Sequence, residues 1–109
     1  MNIEAAIIAH LKSKGFNAVA NVPEKRPDEF VTVERTGGGK DALDRPTVAV
    51  QAWSTTKYKA SELMLAVDAA MLDLTSVDEV TKITRNTLYN FPDVSGQPRY
   101  QAVYNIVTY

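Results

Sequence analysis

The chain has 109 residues, 45% of them hydrophobic, and a formal net charge of −1, the make-up of one globular domain with a single core. Basic and acidic residues are spread along the whole length, so there is neither a basic field for non-specific nucleic-acid binding nor an acidic tail. The absence of cysteine excludes disulfides, thiolate metal sites and cysteine nucleophiles together.

The opening segment MNIEAAIIAHLKSKG lacks a basic n-region, a long apolar stretch and a small-residue cleavage site, so it does not read as a signal peptide. It reads as a helix. Asn2 caps it, Ile3, Ile7 and Leu11 form one apolar stripe with Ile8 beside them, and Gly15 stops it, with Phe16 placed to pack back on Leu11 as in a Schellman ending. Asn17 to Val22 is a short strand candidate closed by Pro23, and VPEKRPDE has the prolines and charges of a surface connection.

Two strand-like segments follow, EFVTVERT and RPTVAVQAW, around the polar stretch GGGKDALD. In the first, Phe30, Thr32 and Glu34 alternate with Val31, Val33 and Arg35; in the second, Val48, Val50 and Ala52 oppose Thr47, Gln51 and Trp53. That is the period of two of a strand with one buried face. Pro46 suits the start of a strand, where no ladder donor is needed. The connection is expected to be a long flexible loop, because ordering about ten residues costs on the order of 10 to 20 kcal/mol. Leu43 and Ala42 offset only a small part of that, at roughly 1.5 to 3 kcal/mol for a large side chain. Thr36 to Asp44 is accordingly expected to be mobile until a partner orders it.

After the hydroxyl run Ser54 to Thr56, Lys57 to Leu74 carries Ala60, Leu63, Met64, Val67, Met71 and Leu74 on one helical face. Covering a sheet with the five large ones is favourable by on the order of 10 kcal/mol gross. Val80 to Phe91 alternates, with Thr81, Ile83, Arg85, Thr87 and Tyr89 opposite Lys82, Thr84, Asn86 and Leu88. PDVSGQP is a turn by composition. The last segment, RYQAVYNIVTY, sets Tyr100, Ala102, Tyr104 and Ile106 against Arg99, Gln101, Val103, Asn105 and Val107, the pattern of an antiparallel partner. The expected architecture is α+β: a mainly antiparallel sheet with two helices packed on one face, in a single domain over residues 1–109. No apolar run approaches the roughly 18 residues of a membrane span, and a cytoplasmic product is expected unless the chain is carried out inside an assembly.

No constellation in the sequence reads as catalytic, cofactor-binding or metal-binding. His10, the single histidine, lies off the apolar stripe and reads as a solvated or partly packed surface side chain. Ser54, Ser61 and Ser95 lack a nucleophile-elbow context. Asp68 and Asp73 are five apart and read as a solvated helix face, while Asp93 suits an Asx-type turn better than a calcium loop. Gly37, Gly38, Gly39 and Lys40 lack the GxxxxGK[ST] context of a phosphate loop. Tyr89, Tyr100, Tyr104 and Tyr109 have no basic groove beside them and read as sheet packing or interface. An exposed sheet edge, a charged connection and aromatic strand residues together point to a binding or assembly module rather than an enzyme.

In order and spacing, EFVTVERTGGGKD, RPTVAVQAW followed by a helix rich in alanine and leucine, and YNFPDVSGQPRYQAVYNI resemble the tail terminator, or tail-completion, proteins of long-tailed phages. The resemblance covers nearly the whole chain and rests on fold-bearing patterns. It implies a structural virion protein, assembled in the host cytoplasm, that forms a hexameric ring at the head-proximal end of the tail tube. Such a ring stops tube polymerisation and joins the tail to the head connector. The implied partners are further copies of the chain, the tail tube protein and the head connector protein, with DNA only passing through the ring and no membrane. Carried onto this sequence, the arm meeting a neighbour or the tube would comprise Arg35, Gly37, Gly38, Gly39, Lys40, Asp41, Leu43, Asp44 and Arg45, and the turn from Asp93 to Arg99 would sit at a rim. The alternatives are a head-completion or neck protein on the portal side and a small ligand-binding domain.

Overall fold

The computed structural model describes residues 1–109. In chain order the elements are α1 (Ile3–Ser13), β1 (Ala18–Val19), β2 (Phe30–Lys40), β3 (Asp44–Trp53), α2 (Lys57–Leu72), a 3₁₀ turn (Leu74–Ser76), β4 (Val80–Asn90) and β5 (Arg99–Thr108). The strands form one mixed sheet in the order β1-β2-β3-β5-β4, antiparallel except for the two-residue parallel pairing of β1 with β2. Both helices lie on the same face, so the fold is α+β as expected.

Local chemistry sets the helix ends. The Asn2 side chain accepts from the Ala5 N–H, and Thr56 does the same for Lys59, each satisfying one of the unpaired donors of a first turn. At the end of α1, Gly15 takes φ +93°. The Phe16 N–H then reaches Leu11 O at 3.0 Å and the Gly15 N–H reaches Lys12 O at 3.0 Å, which is the Schellman pair.

The core forms where the two periods meet. Ile3, Ile7 and Leu11 of α1 and Leu63, Met64, Val67 and Met71 of α2 pack with Val31, Val33, Val48, Val50, Ala102, Tyr104 and Ile106 of the sheet. Two polar contacts tie this layer together. His10 is buried, and its Nε2 lies 2.8 Å from Ala70 O near the end of α2; since a carbonyl only accepts, Nε2 carries the hydrogen. Asp68 is also buried and accepts from the Tyr104 hydroxyl at 2.7 Å and from Arg85 Nη1 at 2.7 Å. Both residues depart from the surface positions expected of them. Each lies beside the apolar stripe, and a tertiary partner rather than helical phase takes it inside.

The connection between β2 and β3 also differs from expectation. It is a hairpin whose tip is only the three residues between Lys40 and Asp44, with Gly37, Gly38, Gly39 and Lys40 opposite Thr47, Pro46, Arg45 and Asp44. A bulge at Thr36 lets the strand continue, and Gly38 at φ +101° allows the close passage. A Cβ on Gly38 would fall 2.7 Å from Pro46 Cα, and closer still to Arg45 O. The expected ordering cost was set against side-chain burial alone. Main-chain pairing and the contacts of Asp41, Asp44 and the two arginines were missing from that balance.

Candidate interaction site

The proposed arm residues gather at one end of the sheet. Arg35 pairs with Asp44 at 3.3 Å, and Arg45 Nε lies 3.3 Å from Asp41 Oδ2. Asp41 also closes the turn, accepting from the Leu43 N–H at 2.9 Å while its own N–H reaches Leu43 O at 3.0 Å. That backbone donor, and next the Arg45 charge, hold the Asp41 carboxyl below its ordinary range. Exposed ion pairs of this kind contribute about 0 to 1 kcal/mol each, so they steer the hairpin more than they anchor it. Glu34 and Lys40 keep no ionic partner within the chain.

Asp93 and Arg99 lie at the other end, because Arg99 pairs with Trp53 at the end of β3 remote from Asp44. Ten residues of strand at about 3.4 Å each put the two groups roughly 30 Å apart. The sequence-derived set is therefore two sites. The Asp93 carboxylate accepts from Ser95 Oγ at 2.6 Å and lies 3.6 Å from both Arg26 Nη1 and Arg99 Nη1. The Ser95 hydrogen bonds, with Arg99 next, keep its carboxyl lowered.

This turn covers a second cluster that the sequence did not announce. On the face away from the helices Trp53 is only 2% exposed. It stacks on Phe30 with centroids 5.1 Å apart, and the Arg99 and Arg26 guanidiniums stand 4.8 and 5.4 Å from its ring, within cation–π range. A hydrogen-bond relay then crosses the sheet. Trp53 Nε1 donates to Thr32 Oγ1 (2.9 Å), Thr32 to Gln51 Oε1 (2.7 Å), Gln51 Nε2 to Gln101 Oε1 (2.6 Å), and Gln101 Nε2 to the Tyr89 hydroxyl. A signal was present: between Glu34 and Arg99 on that strand face, Phe30, Thr32, Gln51, Trp53 and Gln101 form an uncharged patch, which is unusual for a face left to water.

Tyr89 reaches that face through a bulge between Arg85 and Thr87. Strict alternation had put it with Ile83; the extra residue instead leaves Ile83, Arg85 and Leu88 on the helix side, opposite Ile106, Tyr104 and Ala102. A hollow of about 560 Å³ opens where the chain leaves β1, lined by Ala20 to Val22 on one side and Val33, Glu34 and Thr36 on the other. Glu4, Arg26 and Arg99 also border it, so its wall is polar, unlike the largely apolar pocket of a small-molecule site.

Both outer strands of the sheet are open. β1 pairs only with Val31 and Thr32 of β2, which is exposed from Glu34 on, and nothing pairs with the outer side of β4. No helix is long and apolar enough to cross a membrane. Comparison of the sequence with protein-family models and with curated proteins returns no match.

Proposed function

We propose that this chain is a structural assembly subunit of the phage tail-terminator kind, acting without catalysis: a ring at the head-proximal end of the tail tube that ends tube growth and presents a face to the head connector. The observation that supports this reading is the distribution of exposed, protein-binding features. One domain carries a charged hairpin from Glu34 to Arg45 at one end, a turn from Asp93 to Arg99 ion-paired to Arg26 at the other, and an open sheet edge on each side. A subunit that must meet two like neighbours and two unlike partners needs four such surfaces, and heterologous contacts between like subunits close into rings. The hairpin serves as the arm to a neighbour or the tube, with Gly37, Gly38, Gly39 and Lys40 on one strand and Arg45 on the other.

Electron microscopy of the purified protein mixed with tail tube protein tests the proposal. Rings seated on tube ends, and tubes that stop lengthening, are the expected result; tubes that grow unhindered would overturn it. A variant in which Gly37 to Asp44 is replaced by a two-residue turn should keep the fold and lose tube capping. The neck-protein alternative predicts binding to the portal-side connector and none to the tube, so the same mixing experiment with that connector separates the two.

A further inference from the structure

We propose that α2 docks on α2 of a second copy, antiparallel and two-fold symmetric about Leu65, so that two copies meet back to back through their helix layers. The contact uses none of the surfaces assigned to the ring and goes beyond that reading.

The first observation is a second apolar line on α2. Ala60, Leu63, Met64, Val67 and Met71 are buried, yet Tyr58, Leu65 and Leu72 of the same helix are 72%, 55% and 48% exposed. Leu65 stands about 160° around the helix from the fully buried Val67, and seven residues are close to two full turns. The three side chains therefore lie one above another on the face opposite the sheet. Their exposed neighbours Ala66 and Ala69 are small, which lets a second backbone come near. A helix on the surface of a solitary domain buries one apolar stripe and turns polar residues to water. Here the outward face carries its own line of large apolar side chains, roughly 21 Å long from Tyr58 to Leu72.

Symmetry and charge say what covers it. The line reads alike in both directions about Leu65, with one large side chain seven residues away on either side. An isologous contact needs that self-complementarity: Leu65 meets Leu65 of the partner copy, and Tyr58 meets its Leu72. A flanking line, Lys59, Ala66 and Asp73, has the same spacing. Its charges run against the helix dipole, because the first turn holds no acidic side chain and the last turn no basic one. Lys57 and Lys59 have no ionic partner within the chain, and the Asp73 carboxylate, 3.0 Å from Lys14, stays half exposed.

A second copy turned end for end resolves this. Lys59 lies six residues before Leu65 and Asp73 eight after it, so across the two-fold the ammonium of one copy comes level with the carboxylate of the other to within about 3 Å of rise. It also nears the negative end of the facing helix. A parallel pair would instead set Lys59 against Lys59 and Asp73 against Asp73, a like-charge arrangement that disfavours that orientation. Three rungs make a small contact beside the roughly 1,200 Å² of a stable interface, so the pair forms at high concentration and comes apart on dilution.

Leu65→Cys tests the register in a chain that has no cysteine. Helix axes about 8 to 10 Å apart, with Cα atoms about 2.3 Å from each axis, leave the facing Cα atoms roughly 5 Å apart, inside the range a disulfide spans. In a glutathione redox buffer Leu65→Cys should become a covalent dimer, while Thr87→Cys, exposed on β4, should stay monomeric. Lys59→Glu and Asp73→Lys test the orientation. Each alone should sediment as a monomer where the unmodified protein pairs, and an equimolar mixture should pair again, because both contacts of the mixed dimer join opposite charges. Leu65→Glu should weaken pairing by at least about tenfold. All of these side chains are exposed, and circular dichroism confirms that the variants fold. A dissociation constant of the unmodified protein weaker than about 1 mM, a Leu65→Cys chain that cross-links no faster than Thr87→Cys, or a mixture of the charge variants that stays monomeric would each overturn the pair. Rings that assemble on tube ends without the Leu65 cross-link would overturn it too and leave the ring reading standing.

Discussion

Tyr104→Phe isolates the one buried polar contact that ties α2 to the sheet. The tyrosine is fully buried on β5 and donates to Asp68, which keeps its second partner Arg85 at 2.7 Å after the change. The ring volume is nearly unchanged, so no cavity opens. A hydrogen bond to a charged group contributes about 1.5 to 3 kcal/mol, and with Arg85 still holding the carboxylate the expected loss is about 1.5 to 2 kcal/mol. For a domain of this size that lowers Tm by on the order of 10 °C. Urea titration should show the midpoint falling by about 1 M with an unchanged slope. The pH dependence is the sharper check. Burial first, and the Asp68 hydrogen bond and charge next, push the Tyr104 hydroxyl far above its ordinary 10.0. Raised in the fold, this acid favours folding fully below pH 10 and loses that advantage as pH rises above 10, where the unfolded chain ionises and the folded one does not. At pH 11 about 1.4 kcal/mol of the contribution is gone, so wild type and Tyr104→Phe should come close to equal stability. A neutral-pH difference below about 0.5 kcal/mol, or a difference constant from pH 8 to pH 11, would refute the reasoning.

Gly38→Ala should destabilise the hairpin by about 1 to 3 kcal/mol through its positive φ and its closeness to Pro46 and Arg45, whereas Gly39→Ala, with open space at its Cβ, should change little; amide exchange over residues 36–46 reads the contrast. Asp93 keeps a lowered carboxyl, so its contribution is present above pH 3.8 and is lost as pH falls through the depressed value. Tryptophan fluorescence should therefore shift as the turn over Trp53 loosens in acid, and Asp93→Asn should show the shifted signal already at neutral pH. Arg99→Lys should cost about 1 to 2 kcal/mol, because a lysine cannot lie over both Trp53 and Phe91 while bonding Phe91 O. Equal denaturation midpoints for Arg99→Lys and wild type would contradict the role given to that guanidinium.

Periodicity and capping were enough to find both helices, all four long strands and the side of each helix that enters the core. Ile3, Ile7 and Leu11, and Leu63, Met64, Val67 and Met71, are inside as their spacing requires, because a single apolar stripe has one way to leave water. Asn2, Thr56 and Gly15 act within a few residues of themselves, so their roles needed no tertiary information. The fold class was legible for the same reason.

What the tertiary structure alone decided depends on partners distant in sequence. Asp68 became buried because Tyr104 and Arg85 meet it from β5 and β4, and His10 because Ala70 O faces it; helical phase cannot name such partners. One extra residue in β4 moved Tyr89 to the other face, and one in β2 turned a glycine-rich stretch into a paired strand, since a bulge shifts the phase of all that follows it without a strong local signature. Composition and charge limited the chain to one domain without thiol chemistry. Only the assembled sheet set the strand order β1-β2-β3-β5-β4, because pairing order and register are properties of the whole sheet and not of any strand in it.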